Sequence, residues 1–225
     1  MKIAILGATG WIGGAILKEA LSRGHEVTAL VRDPSKLPTT NAAVRTVDLN
    51  QPLVADSFTN QDVVIAAIGG RAAQNHEIVA GTATHLLAIL PKAKVPRLLW
   101  VGGAGSLEVA PGVTLVSTPD FPEAYKSEAL AAVEALKVFR EANTTVNWTF
   151  VSPAAEIYPG ESEGPYRVGG DSFFTDANGQ SRISVTDYAK AMLDEAEKGT
   201  HPNQRISVAY WYDDGELDTV LECVT

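Results

Sequence analysis

Residues 2–27 read KIAILGATGWIGGAILKEALSRGHEV, with Gly7, Gly10, Gly13 and Gly14 at the seam between an apolar, strand-like run and a helix-period pattern. Glycine weakens both strands and helices, so four of them at such a seam call for a close approach to the backbone. The spacing is GxxGxxG, directly after a strand and directly before a helix. In that setting one glycine permits the tight turn, the next lets a pyrophosphate approach the main chain, and the last lets helix and sheet pack closely. The helix start then offers free N–H groups and a partial positive charge to the anion. Gly7, Ala8, Thr9, Gly10, Trp11, Ile12 and Gly13 are therefore candidate dinucleotide-binding residues. Trp11 either walls the pocket or covers the sheet edge.

Beyond the turn, β-rich runs at 2–6, 26–32, 44–48, 62–68, 97–101 and 146–151 alternate with helical patterns near 12–23, 75–91 and 121–142. Such alternation predicts an α/β fold, a doubly wound parallel sheet of the Rossmann type with helices on both faces. Ile12, Ile16 and Ala20 share one face of the first helix, and Gly24 is its expected stop. A last helix over 185–198, capped by Thr186 or Ser184, leads to a final strand over 205–211. Between them, residues 152–184 are rich in proline and glycine and are expected to form substrate-side loops, with Asn178-Gly179 as a two-residue hairpin turn. The 225 residues then make one domain.

Charge and composition narrow the function classes. A net charge of −9 opposes phosphate backbones and anionic lipid surfaces, so neither nucleic acid nor membrane is an expected partner. There is no apolar run long enough to span a bilayer, and the apolar stretch after Met1-Lys2 is too short for a signal peptide. With Cys223 as the sole cysteine, no internal disulfide can form and a cytoplasmic location is expected. The four histidines lack metal-ligand spacing, so no metal site is expected, and GGAGSLE lacks the second glycine of a hydrolase elbow. Tyr158, Tyr166, Phe173 and Phe174 either stack on a flat acceptor or pack within the 152–184 segment.

The choice of nicotinamide cofactor turns on VTALVRDPSKL at the end of the second strand. An acidic residue there accepts from the ribose hydroxyls of NAD, whereas an arginine holds the extra 2′-phosphate of NADP. Asp33 precedes Pro34, a pairing that suits an N-cap and first helical residue and occupies the carboxylate. Arg32 is left at the strand tip with Lys36 nearby, which favours NADPH. Asp48 and Leu49 stand where an adenine edge and face could be met, and Ala67, Ile68 and Gly69 where small residues admit ribose and pyrophosphate. Each of these positions also suits an ordinary short loop.

The stretches ILGATGWIG, VTALVRDPSKL, LLWVGGAGSLEVAPG, STPDFPEAYKSEAL, NWTFVSPAAEIYPGE and SRISVTDYAKAMLDE are spread from residue 5 to residue 195. With them the chain resembles the atypical short-chain dehydrogenase/reductases, in particular the NAD(P)H-flavin reductase group, related to biliverdin-flavin reductases and NmrA-like proteins. The resemblance implies a Rossmann fold, NADPH in the glycine turn, and nicotinamide near Ser152 to Ala155, including Pro153 and Ala154. Better-known members of the wider family carry Tyr-x-x-x-Lys before the NWTF strand and a serine at the end of the strand before that. Here Tyr125 is followed four residues on by Ala129 and Lys126 by Leu130, and Gly102 to Gly105 occupy the serine's place with Ser106 just beyond. Ser106, Tyr125 and Lys126 are the catalytic candidates that remain.

A ketone needs a placed proton donor for the charge that builds on its oxygen. A flavin or quinone spreads the accepted electrons over a conjugated system. The expected function is thus an NADPH-dependent reductase of a small conjugated acceptor, with FMN or another flavin, or a quinone, as substrate. The rival is an NmrA-like protein that senses NADP(H) without turnover. Nucleotide-sugar epimerisation would lean on the missing Tyr and Lys.

Overall fold

Apolar side chains alternate between two faces along the first strand, β1 (Lys2–Leu6): Ile3 and Ile5 enter one core, Ala4 and Leu6 another. A strand buried on both faces needs cover on both. The computed structural model, which describes residues 1–70 and 74–211, shows how that cover is supplied. Cys223 lies outside the described residues.

The other strands of the central sheet are β2 (Glu26–Val31), β3 (Ala43–Thr46), β4 (Val63–Ala66), β5 (Arg97–Val101), β8 (Asn147–Pro153), β10 (Tyr166–Gly169) and β12 (Gln204–Tyr210). They lie in the order β10-β12-β8-β5-β4-β1-β2-β3, parallel throughout except for the edge pair β10 and β12. Helices α1 (Trp11–Ser22) and α4 (Val185–Lys198) cover one face, and α2 (Glu77–Ile89) and α3 (Glu123–Glu141) the other. This is the Rossmann-type α/β arrangement. The chain leaves β1 for β2 on one side and returns to β4 on the other, so the strand order reverses at the carboxyl end of β1. Crevices at such reversals are where open α/β sheets bind ligands.

The helices follow from their sequences. In α4, Val185, Tyr188, Ala189, Met192, Leu193 and Ala196 fall at i, i+3, i+4, i+7, i+8 and i+11 and are all buried. Ser184 caps it by accepting from the Asp187 N–H, and Gly199, at φ +63°, ends it. On the opposite face Phe139 of α3 meets the rings of Trp100, Trp148 and Phe150 at centroid distances of 5.3, 5.3 and 5.7 Å.

The segment after β8 corrects one expectation. Asn178-Gly179 does not form a two-residue hairpin turn. The Asp176 carboxylate accepts from the N–H groups of Asn178 and Gln180, and Asp176 N–H donates to the Gln180 carbonyl at 2.8 Å, which rounds the chain over three residues. Beyond that bond the flanks form no ladder with each other. Instead β11 (Arg182–Ser184) runs parallel to β9 (Glu156–Tyr158). A short hairpin does occur elsewhere, between β6 (Glu108–Ala110) and β7 (Val113–Thr114), turned by Pro111-Gly112 with Gly112 at φ +73°.

Candidate functional site

At the reversal point Gly7 follows β1 at φ +87°, a conformation that favours glycine, and a Cβ there would run into the Ala67 carbonyl beyond β4. Gly13 is needed for another reason: its Cβ would overlap the Gly7 carbonyl, so glycine lets α1 press onto the turn. Gly10 differs from both. A Cβ there meets only the Gly7 carbonyl, at 3.2 Å, and otherwise points into open space. Gly10 is the N-cap of α1 with no side-chain cap, and the first turn carries no acidic residue. The opening N–H groups of α1 therefore face an uncapped cradle with room for an anion. Ala8 is buried in the core, Ile12 packs on the α1 face, and Thr9 and Trp11 are exposed, Trp11 at 50%.

One strand over, Asp33 caps a single 3-10 turn, Pro34–Lys36, as the Asp-Pro pair predicts. Its Oδ1 accepts from the Ser35 hydroxyl at 2.6 Å and the Ser35 N–H at 3.0 Å, and these bonds hold its carboxyl below the usual range. Arg32, at the tip of β2, is exposed and makes no hydrogen bond or ion pair among the described residues, and Lys36 lies exposed beside it. Past β3, the Asp48 carboxylate is held by the N–H and side-chain amide of Asn50, both at 3.0 Å. Leu49 packs on the core under α2 and also lines a cleft of about 440 Å³ with Pro52, Leu53, His85 and Ile89. That cleft lies along the C-terminal half of α2, away from the glycine turn. Ala67 and Ile68 are half-buried at the carboxyl end of β4, and Gly69 is exposed.

The catalytic candidates are not brought together. Ser106 is buried in a 3-10 turn, Ala104–Ser106, where Arg205 of β12 donates from Nη1 to its hydroxyl at 3.2 Å and from Nη2 to its carbonyl at 3.4 Å. Arg205 also donates from Nε to Asp171 at 2.6 Å, so the Ser106 hydroxyl belongs to a buried tie between loops. Tyr125 is half exposed in the first turn of α3. Lys126 points to solvent and pairs with Glu123 at 3.3 Å. Pro153 and Ala154, at the end of β8, are buried, and the Ser152 hydroxyl is buried without a hydrogen-bond partner. Among the aromatics, Tyr166 donates to Asp194 at 2.8 Å and Phe174 packs edge-on to Trp211.

Two residues escape the sequence reading. Arg205 gives no signal, since a buried arginine within an apolar strand looks like any other strand residue. Glu128 lies three residues after Tyr125, half-buried, with Oε1 3.8 Å from the position of a Cβ at Gly69. The i, i+3 spacing was the available signal.

Fold and turn define a dinucleotide-binding α/β protein. The chain belongs to the NAD(P)H-binding family, whose model matches residues 7–196, and its cofactor is of the nicotinamide type. It is 44% identical to the uncharacterized protein YwnB of Bacillus subtilis (strain 168) over 212 residues, 92% of this chain and 98% of that one. A crystal structure from Streptococcus pneumoniae TIGR4, provisionally named an NADH-flavin reductase, is 39% identical with a TM-score of 0.85, covering 93% of this chain and 99% of that one. Another, from Bacteroides thetaiotaomicron and provisionally named an epimerase, is 36% identical with a TM-score of 0.85, covering 94% and 98%. No helix among the described residues is long and apolar enough to cross a membrane.

Proposed function

We propose that this protein is an NADPH-dependent reductase of a small conjugated acceptor, a flavin or a quinone. The observation that carries the cofactor choice is the division of labour at the end of β2: Asp33 is spent on its own 3-10 turn, and Arg32 is unengaged among the described residues. A guanidinium can hold a 2′-phosphate through two parallel hydrogen bonds. The uncapped start of α1 and the open side of Gly10 would hold the pyrophosphate, and the ends of β4, β5 and β8 the nicotinamide half. When bound, the cofactor supplies a hydride.

The acceptor class rests on what surrounds that place. Ser106 is buried against Arg205 and Lys126 points to solvent beside Glu123, so neither is placed to donate a proton to an isolated carbonyl at the strand ends. Stacking against a conjugated ring and exclusion of water make smaller demands on such a donor. The flavin reductase name of the S. pneumoniae relative supports this reading, and the epimerase name of the B. thetaiotaomicron relative points to chemistry for which an acid–base pair would be wanted.

The test uses flavin reduction driven by NADPH and by NADH. Arg32→Ala should weaken NADPH by about 1.5 to 3 kcal/mol, the range for a charged hydrogen bond, and leave NADH nearly unchanged. Equal losses for both cofactors would remove Arg32 from the phosphate site.

A further inference from the structure

The end of β4 carries a second polar feature of the same site. Across the sheet the order β2-β1-β4-β5-β8 is a row of strand ends about 4.8 Å apart. On the reading above, a dinucleotide laid along that row has its 2′-phosphate at β2, its pyrophosphate at β1 and its nicotinamide at β8. The ends of β4 and β5 then fall opposite the ribose of the nicotinamide half.

Those ends present Gly69, Gly102 and Gly103, which have no side chain to offer a diol. Helix α3 crosses them closely. The Ala132 methyl stands 3.0 Å from a Cβ position at Gly103, the Ala129 methyl 2.8 Å from one at Gly105, and the Glu128 Oε1 3.8 Å from one at Gly69. The small residues on both sides bring the helix down, and Glu128 is an ionisable side chain that α3 carries to the end of β4. Glu128 already interacts within the chain, as does Tyr125 one turn before it. A carboxylate suits vicinal hydroxyls, since each can donate to one oxygen, as acidic residues do for the adenine-side ribose in dinucleotide folds. It is a poor neighbour for a pyrophosphate, which has the same sign of charge.

We propose that Glu128 is a positioning residue that accepts hydrogen bonds from the ribose hydroxyls of the nicotinamide half. The proposal rests on the dinucleotide reading of the site, and the test separates the two. Binding is measured for three ligands: NADPH, 2′-phospho-ADP-ribose, which keeps the second ribose but lacks nicotinamide, and 2′,5′-ADP, which lacks the second ribose. Glu128→Ala should weaken the first two alike, by about ten- to a hundredfold, and leave 2′,5′-ADP unchanged. Glu128→Gln, which keeps one acceptor oxygen, should lose less, and thermal melting of both variants checks that the fold is kept. Equal weakening of all three ligands would mean a general structural role and overturn the proposal. Loss for NADPH alone would move Glu128 to the nicotinamide ring, and no loss for any ligand would remove it from the site; either result overturns the proposal too. Failure of the unaltered protein to bind NADPH or 2′,5′-ADP would instead sink the dinucleotide reading beneath it.

Discussion

The three glycines of the turn are alike in sequence and unlike in physics. Gly7 and Gly13 are required by the protein itself, because a Cβ at either would collide with backbone. Gly10 has only a tight neighbour in the Gly7 carbonyl, and its remaining surroundings are open. Gly10→Val should therefore leave a folded protein that no longer binds NADPH, while Gly13→Val should lose at least about 1 to 3 kcal/mol of stability through overpacking against backbone that cannot yield. Circular dichroism melts and a cofactor titration on the two variants check this. A folded Gly10→Val protein with its NADPH affinity intact would show that the turn is only structural. At this scale the sequence was informative where residue type limits conformation: glycine at the turn, and Asp-Pro at the cap of the Pro34–Lys36 turn. It was uninformative where partners come from distant chain, as with Arg205 and Ser106, which are 99 residues apart.

Among the elements, the parallel strands and four helices were legible because a strand buried on both sides and an amphipathic helix have different periods. What escaped was short and tertiary. Strand β10 is four residues long and is held by pairing with β12, and the departure at Asn178-Gly179 follows from the Asp176 carboxylate, which draws in two backbone N–H groups. The start of α4 shows a comparable tie with a pH signature. Burial would raise the Asp187 carboxyl, but hydrogen bonds from the Ser162 and Tyr210 hydroxyls, the Glu163 N–H and Lys190 outweigh it and bring it from 3.8 to about 2. These bonds pin residues 162–163 to the helix. Because the folded value is depressed, the stabilisation is present above the unfolded value and is lost as pH falls through the folded one. Asp187→Asn should cost about 2 kcal/mol near neutral pH, with the gap to the unaltered protein closing as pH drops from about 4 to about 2. A gap that does not change with pH would mean that the carboxylate charge is not what holds the segment.

Over the whole molecule, a net charge of −9 has to coexist with a cofactor that is itself a polyanion. The opposing field is local: the uncapped start of α1 and the basic pair Arg32 and Lys36 at neighbouring strand ends. The same row of strand ends leads to a place where Ser106 is buried against Arg205 and Lys126 faces solvent, and on that ground we propose conjugated acceptors rather than ketones. The most direct measurement is steady-state consumption of NADPH by the purified protein with FMN, riboflavin or a quinone, set beside simple aldehydes and ketones. Turnover with at least one conjugated acceptor, far above that with any simple carbonyl, is the expected result. Comparable rates on simple carbonyls would contradict the acceptor assignment, and tight NADPH binding with no consumption in any of these mixtures would contradict the reductase reading in favour of a protein that senses the cofactor.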